Sequence, residues 1–171
     1  MSTTQIYEAL LDAYGGYYNI QQEGAAHPFD AEGFFSNEAQ QYFLVKAAKV
    51  ASVNSYEYVF FALRESLSEQ ELNALDQRAW EEGLSRVKPD QDHKNTDIAL
   101  IVIADKVDEG VKDAIKKINH SKNYKFGLWG FTNYRLVVIE SETKTVLTNR
   151  RGRDLTEFVQ QVIQKSKSQK S

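Results

Sequence analysis

The sequence predicts a single α/β domain built on a mixed β-sheet with helices on both faces. Residues 98–104 form an uninterrupted apolar run, which is typical of a central strand covered on both sides. Upstream, residues 29–65 are dense in Phe, Tyr and Val, and turn residues divide them into an antiparallel meander. Later strands alternate with amphipathic helices, and strand–helix–strand units imply right-handed crossovers with parallel pairing.

Composition agrees with one globular domain. The 171 residues are 42% hydrophobic and 26% charged, which excludes a wholly disordered chain. The chain has no cysteine, which excludes a disulfide scaffold, a thiol nucleophile, an iron–sulfur site and any zinc site that uses cysteine. No internal repeat or Pro/Gly/Ser linker divides it, so residues 1–164 are expected to form one domain. Residues 165–171 are expected to be a frayed polar tail.

The first half predicts one helix followed by strands. Residues 2–14 have helical apolar spacing, with Ser2 and Gln5 as a capping box, and residues 15–28 are expected to form a loop. Strands are expected near 30–36, 41–52 and 56–65. The last of these is apolar on both faces at its centre and should therefore lie inside the sheet.

Residues 68–171 are predicted to form three helices around the central strand. Ser68 should begin a helix that ends before Pro89, and Asp108 should cap the next one. Two strands, at 136–139 and 146–147, should flank a turn near 141–144. Asp154 and Glu157 are expected to start the last helix.

Two segments of the second half resemble an uncharacterised bacterial family of unknown function. They are Lys125-Phe126-Gly127 through Tyr134-Arg135-Leu136, and Thr148-Asn149-Arg150-Arg151-Gly152. The resemblance covers most of residues 1–165 and implies no activity and no catalytic residue.

The order of elements in residues 1–104 is similar to the core of restriction-endonuclease-like enzymes. Those enzymes hold a divalent metal with an acid on one strand and a Glu-x-Lys pair on the next. Here Glu57-Tyr58-Val59 has no lysine, and the preceding strand has Lys46 and Lys49 but no carboxylate after Glu38. The similarity implies a metal-dependent hydrolase as an alternative function, but it departs from that family where the chemistry would occur.

The histidines and acidic residues predict no metal site and no cofactor. His27, His93 and His120 never stand three or four residues apart, so no helical metal pair exists. The cluster at 90–93 follows a proline in a polar segment and is more typical of a solvated loop. Asp105, at the carboxyl end of the central strand, occupies a position where open α/β sheets commonly bind ligands.

The basic residues of the second half predict the candidate site. Residues 1–92 carry 6 Lys/Arg and 15 Asp/Glu, whereas residues 93–171 carry 15 and 9. Either the two halves neutralise each other, or the second half binds an acidic ligand. Basic and aromatic residues alternate over 116–153, and such residues neutralise phosphates and stack on bases. The anion-binding candidates are Lys122, Lys125, Arg135, Arg150, Arg151 and Arg153, and the candidate aromatic platform is Trp129, Phe131 and Tyr134.

Two of these candidates carry additional expectations. The arginines at 150–153 precede a helix, whose first N–H groups favour an anion. Arg135 interrupts an apolar strand and should either face water or meet a carboxylate in a partly buried pair.

The favoured interpretation is a non-catalytic binding module for an anionic or nucleic-acid partner, with no cofactor. The sequence shows no transmembrane run and no signal peptide, so we expect a cytoplasmic location and no membrane partner. A metal-dependent hydrolase and a protein-interaction or self-assembly domain are the alternatives, and the oligomeric state is left open.

Overall fold

A computed structural model describes residues 1–38 and 54–168 of the chain. They form a mixed α/β structure on one open sheet, which confirms the predicted fold class. The strands are β1 (Asn19–Gln21), β2 (Ala31–Ser36), β3 (Asn54–Leu67), β4 (His93–Val107), β5 (Ser121–Asn123), β6 (Phe131–Glu140) and β7 (Thr145–Thr148). The helices are α1 (Thr3–Gly15), α2 (Glu69–Ser85), α3 (Glu109–Lys117) and α4 (Thr156–Ser168), with short 3₁₀ helices at Lys125–Gly127 and Arg151–Leu155.

The sheet changes from antiparallel to parallel at β3. Its order is β1-β2-β3-β4-β6-β5, with β7 also paired to β6. β1, β2 and β3 pair antiparallel, whereas β3, β4 and β6 run parallel. The run 98–104 therefore lies in an interior strand between two parallel neighbours, as predicted.

Side-chain alternation along the parallel strands builds two cores. Phe60, Leu100 and Leu136 are in register and face α2 and α3. Their neighbours along each strand, such as Ile101 and Val137, face α1 and α4 on the other side of the sheet. Helices therefore cover both faces, and none of them, within the described residues, is long and apolar enough to cross a membrane.

The capping residues Ser2 and Ser68 correctly predicted where α1 and α2 begin. The Ser2 hydroxyl accepts from the Gln5 N–H at 3.2 Å, and the Gln5 side chain accepts from the Ser2 N–H at 2.9 Å. The Ser68 hydroxyl likewise accepts from the backbone N–H of Glu71, in the first turn of α2. Asp108 occupies the cap position of α3, but its side chain makes no capping hydrogen bond.

The prediction for the last helix was wrong at both ends. Asp154 lies inside the 3₁₀ helix, and α4 begins at Thr156, because the chain is already helical from Arg150 onward. At the other end, Lys165–Ser168 are helical rather than frayed, and the Ser166 hydroxyl donates to the Val162 carbonyl at 2.9 Å. Residues 169–171 lie outside the described part.

Two further differences concern the first half. β1 forms inside the predicted loop 15–28, where Ile20 pairs with Gly33. A side chain at Gly33 would collide with Ile20, since a Cβ there would stand 2.8 Å from its terminal methyl. The strand predicted at 41–52 lies outside the described residues.

Asn149 completes the outer edge of β6, where neither β5 nor β7 reaches. It is buried, and its side-chain oxygen accepts from the N–H groups of Leu136 and Gly152, at 3.0 and 2.8 Å. Its amide group donates to the carbonyls of Ile118 and Tyr134. One side chain thus satisfies four backbone groups at a gap in the sheet.

Phe60→Ala should lower the free energy of unfolding by about 3–5 kcal/mol, because it empties a site in a fully buried core. The Phe60 ring packs 4.8 Å from that of Phe29 and lies under the guanidinium of Arg86. Urea denaturation measures the loss, with the exposed Phe126→Ala as the matched control, expected within about 0.5 kcal/mol of wild type. A loss below about 1 kcal/mol at Phe60 would contradict this assignment.

Asn149→Ala should destabilise the protein by more than about 2 kcal/mol, since each buried N–H left unpaired costs roughly 1–3 kcal/mol. The exposed Asn123→Ala on β5 is the control and should be close to neutral. Equal unfolding free energies for the two variants would show that Asn149 does not hold the edge together.

Candidate functional site

The basic candidates lie along the outer edge of β6. β5 pairs with residues 131–133 of this strand and β7 with residues 137–140. Lys122 is the β5 partner of Thr132, and Gly152 sits so close to the Leu136 carbonyl that a Cβ would be 2.4 Å from its oxygen. The two positions are four residues apart along β6, which is about 13 Å.

We call five of these residues the basic edge. Four of these residues are exposed, and Arg151 is half-buried and donates a hydrogen bond to the Asn119 side chain. The basic edge comprises Lys122, Lys125, Arg150, Arg151 and Arg153.

Residues 124–131, the aromatic loop, hold an unusual backbone conformation. Lys125, Phe126 and Gly127 have consecutive positive φ angles of 51, 55 and 89°. For residues with a side chain this region costs about 1–2 kcal/mol each. The loop is nevertheless closed on itself, since Tyr124 accepts from the N–H of Gly127 and its own N–H donates to Gly130, at 2.9 and 3.0 Å.

This conformation holds apolar side chains out in water. Phe126 is fully exposed and Leu128 is 80% exposed. The Lys125 ammonium lies 4.9 Å from the centre of the Trp129 ring, a cation–π contact. Sequence reasoning missed Phe126, because a loop has no periodicity from which exposure can be deduced.

The loop is fastened to the sheet through His93. Its Nδ1 contacts the Trp129 carbonyl oxygen at 2.7 Å, and its Nε2 contacts the Thr96 hydroxyl at 2.8 Å. His93 is buried at the start of β4 and is not part of a solvated loop, whereas a solvated loop was predicted for the cluster at 90–93. Gly130 is required here, since its φ is 81° and a Cβ would stand 2.2 Å from the Lys94 carbonyl.

Tyr134 does not belong to the aromatic platform. It is fully buried against Trp80 and His120. Phe131 and Tyr134 are three residues apart on one strand, so they face opposite sides of the sheet. Of the predicted platform, Trp129 and Phe131 remain at the surface.

Arg135 is paired with carboxylates rather than free. Its guanidinium lies 3.4 Å from a carboxylate oxygen of Asp97 and 3.7 Å from one of Asp154. This is the second of the two predicted environments, a partly buried ion pair, and its charge is compensated there.

The expected anion site at a helix N-terminus is occupied by the protein itself. The Gly152 N–H, near the start of the 3₁₀ helix, donates to the Asn149 side chain. The Gly152 N–H, next to these arginines, is therefore already used within the protein.

A second polar surface was not predicted. On the face of the sheet that α1 and α4 cover, polar side chains lie near the amino ends of β3, β4 and β6. Glu57 lies opposite Asp97, and Asp97 lies opposite Asn133. The sequence carries a signal for it, because Ser-x-Glu, Asn-x-Asp and Asn-x-Arg precede the three apolar runs. The polar patch comprises Ser55, Glu57, Asn95, Asp97, Asn133 and Arg135.

Burial dominates the electrostatics of the polar patch. It raises the pKa of the Glu57 carboxyl, against the hydrogen bond from the Tyr18 hydroxyl and the charge of Arg135. It also raises the pKa of the Asp97 carboxyl, again against Arg135. The Glu57 and Asp97 carboxylates lie in register on adjacent strands, and the positive charge of Arg135 offsets the effect of their burial only in part.

The residues considered for metal or ligand binding have other partners. Glu57 accepts from the Tyr18 hydroxyl and lies opposite Asp97 in register, and Val59, where a nuclease would carry the lysine, is buried in the core. In the described ranges no three His, Cys, Asp or Glu side chains are grouped to hold a metal ion. At the opposite end of the sheet, Asp105 accepts from the hydroxyls of Thr3 and Ser141 and so ties α1 to the carboxyl end of β4.

The raised pKa of Glu57 predicts a pH-dependent stability difference between wild type and Glu57→Gln. The folded state binds this proton more tightly than the unfolded chain, so the contribution of Glu57 to stability is greatest below about pH 4.5 and falls as the pH rises through the raised pKa. The variant cannot ionise and avoids this fall. Its stability relative to wild type should increase from about pH 4.5 upward and then level off.

Urea titrations across this pH range measure that difference, and Glu65→Gln, an exposed position on the same strand, is the control. A difference that is constant or decreases with pH would contradict the burial of Glu57.

Residues 2–161 match the family described as Domain of unknown function (DUF8052). No curated protein and no solved structure matches the chain. The match covers most of the chain, including β1–β7, the basic edge and the polar patch. The chain therefore belongs to this family of unknown function, as its resemblance to an uncharacterised family implied.

Proposed function

We propose that this is a bacterial, cytoplasmic protein and that it is a non-catalytic binding module. Its ligand is single-stranded nucleic acid. The phosphates would lie along the basic edge, and the bases would stack on the aromatic loop. The observation that carries the proposal is Phe126, fully exposed on a closed loop next to basic residues.

The contrast between the arginines supports a polyanion as the ligand. Arg64, Arg78 and Arg86 each form an ion pair with a carboxylate, as Arg135 does. Within residues 1–38 and 54–168, none of the five basic-edge residues does so. Unpaired charges along one edge are suited to phosphates that arrive from outside.

The aromatic loop favours single strands over duplex. A ring can stack only on a base that is itself unstacked, and such stacking is tolerant of sequence. Phe126 is free on all sides, while Trp129 is held by Lys125 and the backbone of the loop. The spacing of about 13 Å between β5 and the 150–153 segment suits an extended ligand more than a single phosphate group.

Arg150→Ala, Arg151→Ala and Arg153→Ala together should weaken the binding of a labelled oligothymidine without unfolding the protein. Each lost phosphate contact should flatten the slope of log affinity against log salt by about 0.7. Phe126→Ala should weaken binding by roughly 1–3 kcal/mol and leave the salt slope unchanged. Fluorescence anisotropy at two salt concentrations, with single-stranded and duplex DNA, measures these effects.

Charge-matched variants separate the site from net charge. Lys122→Ala with Lys125→Ala should weaken binding, whereas Lys106→Ala with Lys112→Ala, toward the other end of the sheet, should not. No binding by wild type at low salt, or equal binding by the triple variant, would overturn the proposal, and so would a preference for duplex.

Three other outcomes would favour a different function. Cleavage of the strand with Mg²⁺ would favour the metal-dependent hydrolase of nuclease-like topology. Self-association that is lost on Phe126→Ala would favour a self-assembly domain. Binding to vesicles of anionic lipid, with none to oligonucleotide, would assign the loop to a membrane surface.

A further inference from the structure

A cavity opens on the side of the sheet that α2 and α3 cover, next to the segment that follows α2. Its volume is about 330 Å³, which falls within the range of about 300–1,000 Å³ of small-ligand sites in proteins. We call it the Phe34 cleft, and the residues that border it and matter here are Phe34, Glu38, Tyr56, Tyr58, Lys88 and Asp90.

The wall of the Phe34 cleft consists of aromatic rings that the strand register brings together. Phe34 on β2 is the partner of Tyr58 on β3, and their ring centres are 4.9 Å apart. The Tyr56 ring lies 6.3 Å from that of Phe34, and the planes of these two rings differ by only 12°. Phe34 is 36% exposed, so this row of rings reaches the surface. Aromatic rings at a surface suit a flat ligand such as a base.

Arg86 also borders the cleft, but its charge is neutralised by the protein itself. Its guanidinium lies over the Tyr58 ring, 5.4 Å from the ring centre, and donates to the carboxylates of Glu32 and Glu82. Arg86 therefore offers no free charge to a phosphate.

Two carboxylates at the cleft each have one oxygen available to a ligand. Glu38 accepts from the Tyr56 hydroxyl at 3.3 Å, and Asp90 accepts from the Asp92 N–H at 2.8 Å. In the part of the chain that the structure describes, the second oxygen of each carboxylate has no hydrogen bond. An ionised carboxylate accepts and cannot donate, so the ligand group that suits the cleft is an N–H donor.

The Phe34 cleft adjoins the aromatic loop through His93. The Tyr56 ring lies 6.1 Å from the His93 ring, and the same imidazole contacts the Trp129 carbonyl oxygen at 2.7 Å. Tyr124, at the start of the loop, has its ring 5.7 Å from that of His93. A single strand that lies on the aromatic loop would therefore pass close to the cleft.

We propose that the Phe34 cleft is a base-reading pocket for that strand and that it selects a base with an exocyclic amino group, such as cytosine. This inference rests on the proposed function. The rings stack on the base, and the Glu38 and Asp90 carboxylates accept from its amino group, as acidic side chains do when they read the amino group of cytosine. Thymine has a carbonyl oxygen at that position, so two acceptors would face each other without a hydrogen bond.

Labelled oligodeoxycytidine and oligothymidine of equal length, titrated by fluorescence anisotropy at neutral pH, test the inference. Wild type should bind oligodeoxycytidine about tenfold more tightly, which is the discrimination expected of one such base contact. Asp90→Asn together with Glu38→Gln should bring the ratio of the two affinities close to one, because an amide can pair with either base. Phe34→Ala should weaken the binding of oligodeoxycytidine more than that of oligothymidine.

Matched variants separate the cleft from the aromatic loop and from overall charge. Asp92→Asn removes the same charge as Asp90→Asn at a residue that does not border the cleft, and it should leave the ratio unchanged. Phe126→Ala should weaken the binding of both oligonucleotides by the same factor, since stacking on the loop is tolerant of sequence.

The outcomes distinguish this inference from the proposed function. Binding of both oligonucleotides by wild type with equal affinity, or with a preference for oligothymidine, would overturn the inference and leave the proposed function standing. Binding of neither would overturn both. A preference for oligodeoxycytidine that the Asp90, Glu38 and Phe34 variants retain would place base selection elsewhere on the protein and would overturn the inference alone.

Discussion

The burial of β4 on both faces determines how the other strands and helices are arranged. Residues 98–104 are completely inaccessible to solvent, so each backbone N–H and carbonyl there needs a partner within the sheet. β3 and β6 supply these partners as parallel strands, and parallel strands need long crossover connections, which α2 and α3 provide. Polar side chains are thereby confined to the strand ends, where the polar patch and the Asp105 contacts lie.

The same constraint explains the outer edge of β6. This strand is needed to cover β4, yet its own outer neighbours are two short strands that leave a gap. Asn149 closes the gap and pins the segment that follows it to the sheet. The arginines at 150–153 are therefore displayed from a turn that is hydrogen-bonded to the sheet edge through the residue before them.

The sequence predicted the elements that are set by a long apolar run or by a helix-capping residue. The central strand follows from an apolar run, and the starts of α1 and α2 follow from Ser2 and Ser68. β1 could not be predicted in this way, because a strand of three residues has no alternation and depends on Gly33, which lies distant in sequence. Long-range pairing of this kind is decided by tertiary contacts.

The candidate site was predictable only in part, for two different reasons. The opposite orientations of Phe131 and Tyr134 follow from strand alternation alone, whereas the shared face of Glu57, Asp97 and Arg135 also depends on the register of their three strands. The exposure of Phe126 does not, because it arises from consecutive left-handed residues that the loop closure stabilises. Loop conformation at a functional surface is therefore the part that required the structure.

Arg135 and Asp154 separate the charges of the two surfaces. Asp154 belongs to the turn that displays the arginines, yet its carboxylate contacts Arg135 in the polar patch. Arg135 also pairs with Asp97, so its positive charge is neutralised within the polar patch and does not add to that of the basic edge. Asp154 is largely exposed, and such a pair contributes only about 0–1 kcal/mol. Its main consequence is therefore electrostatic: the pair turns the Asp154 carboxylate toward Arg135, and among the described residues this carboxylate forms no ion pair with the arginines of its own turn.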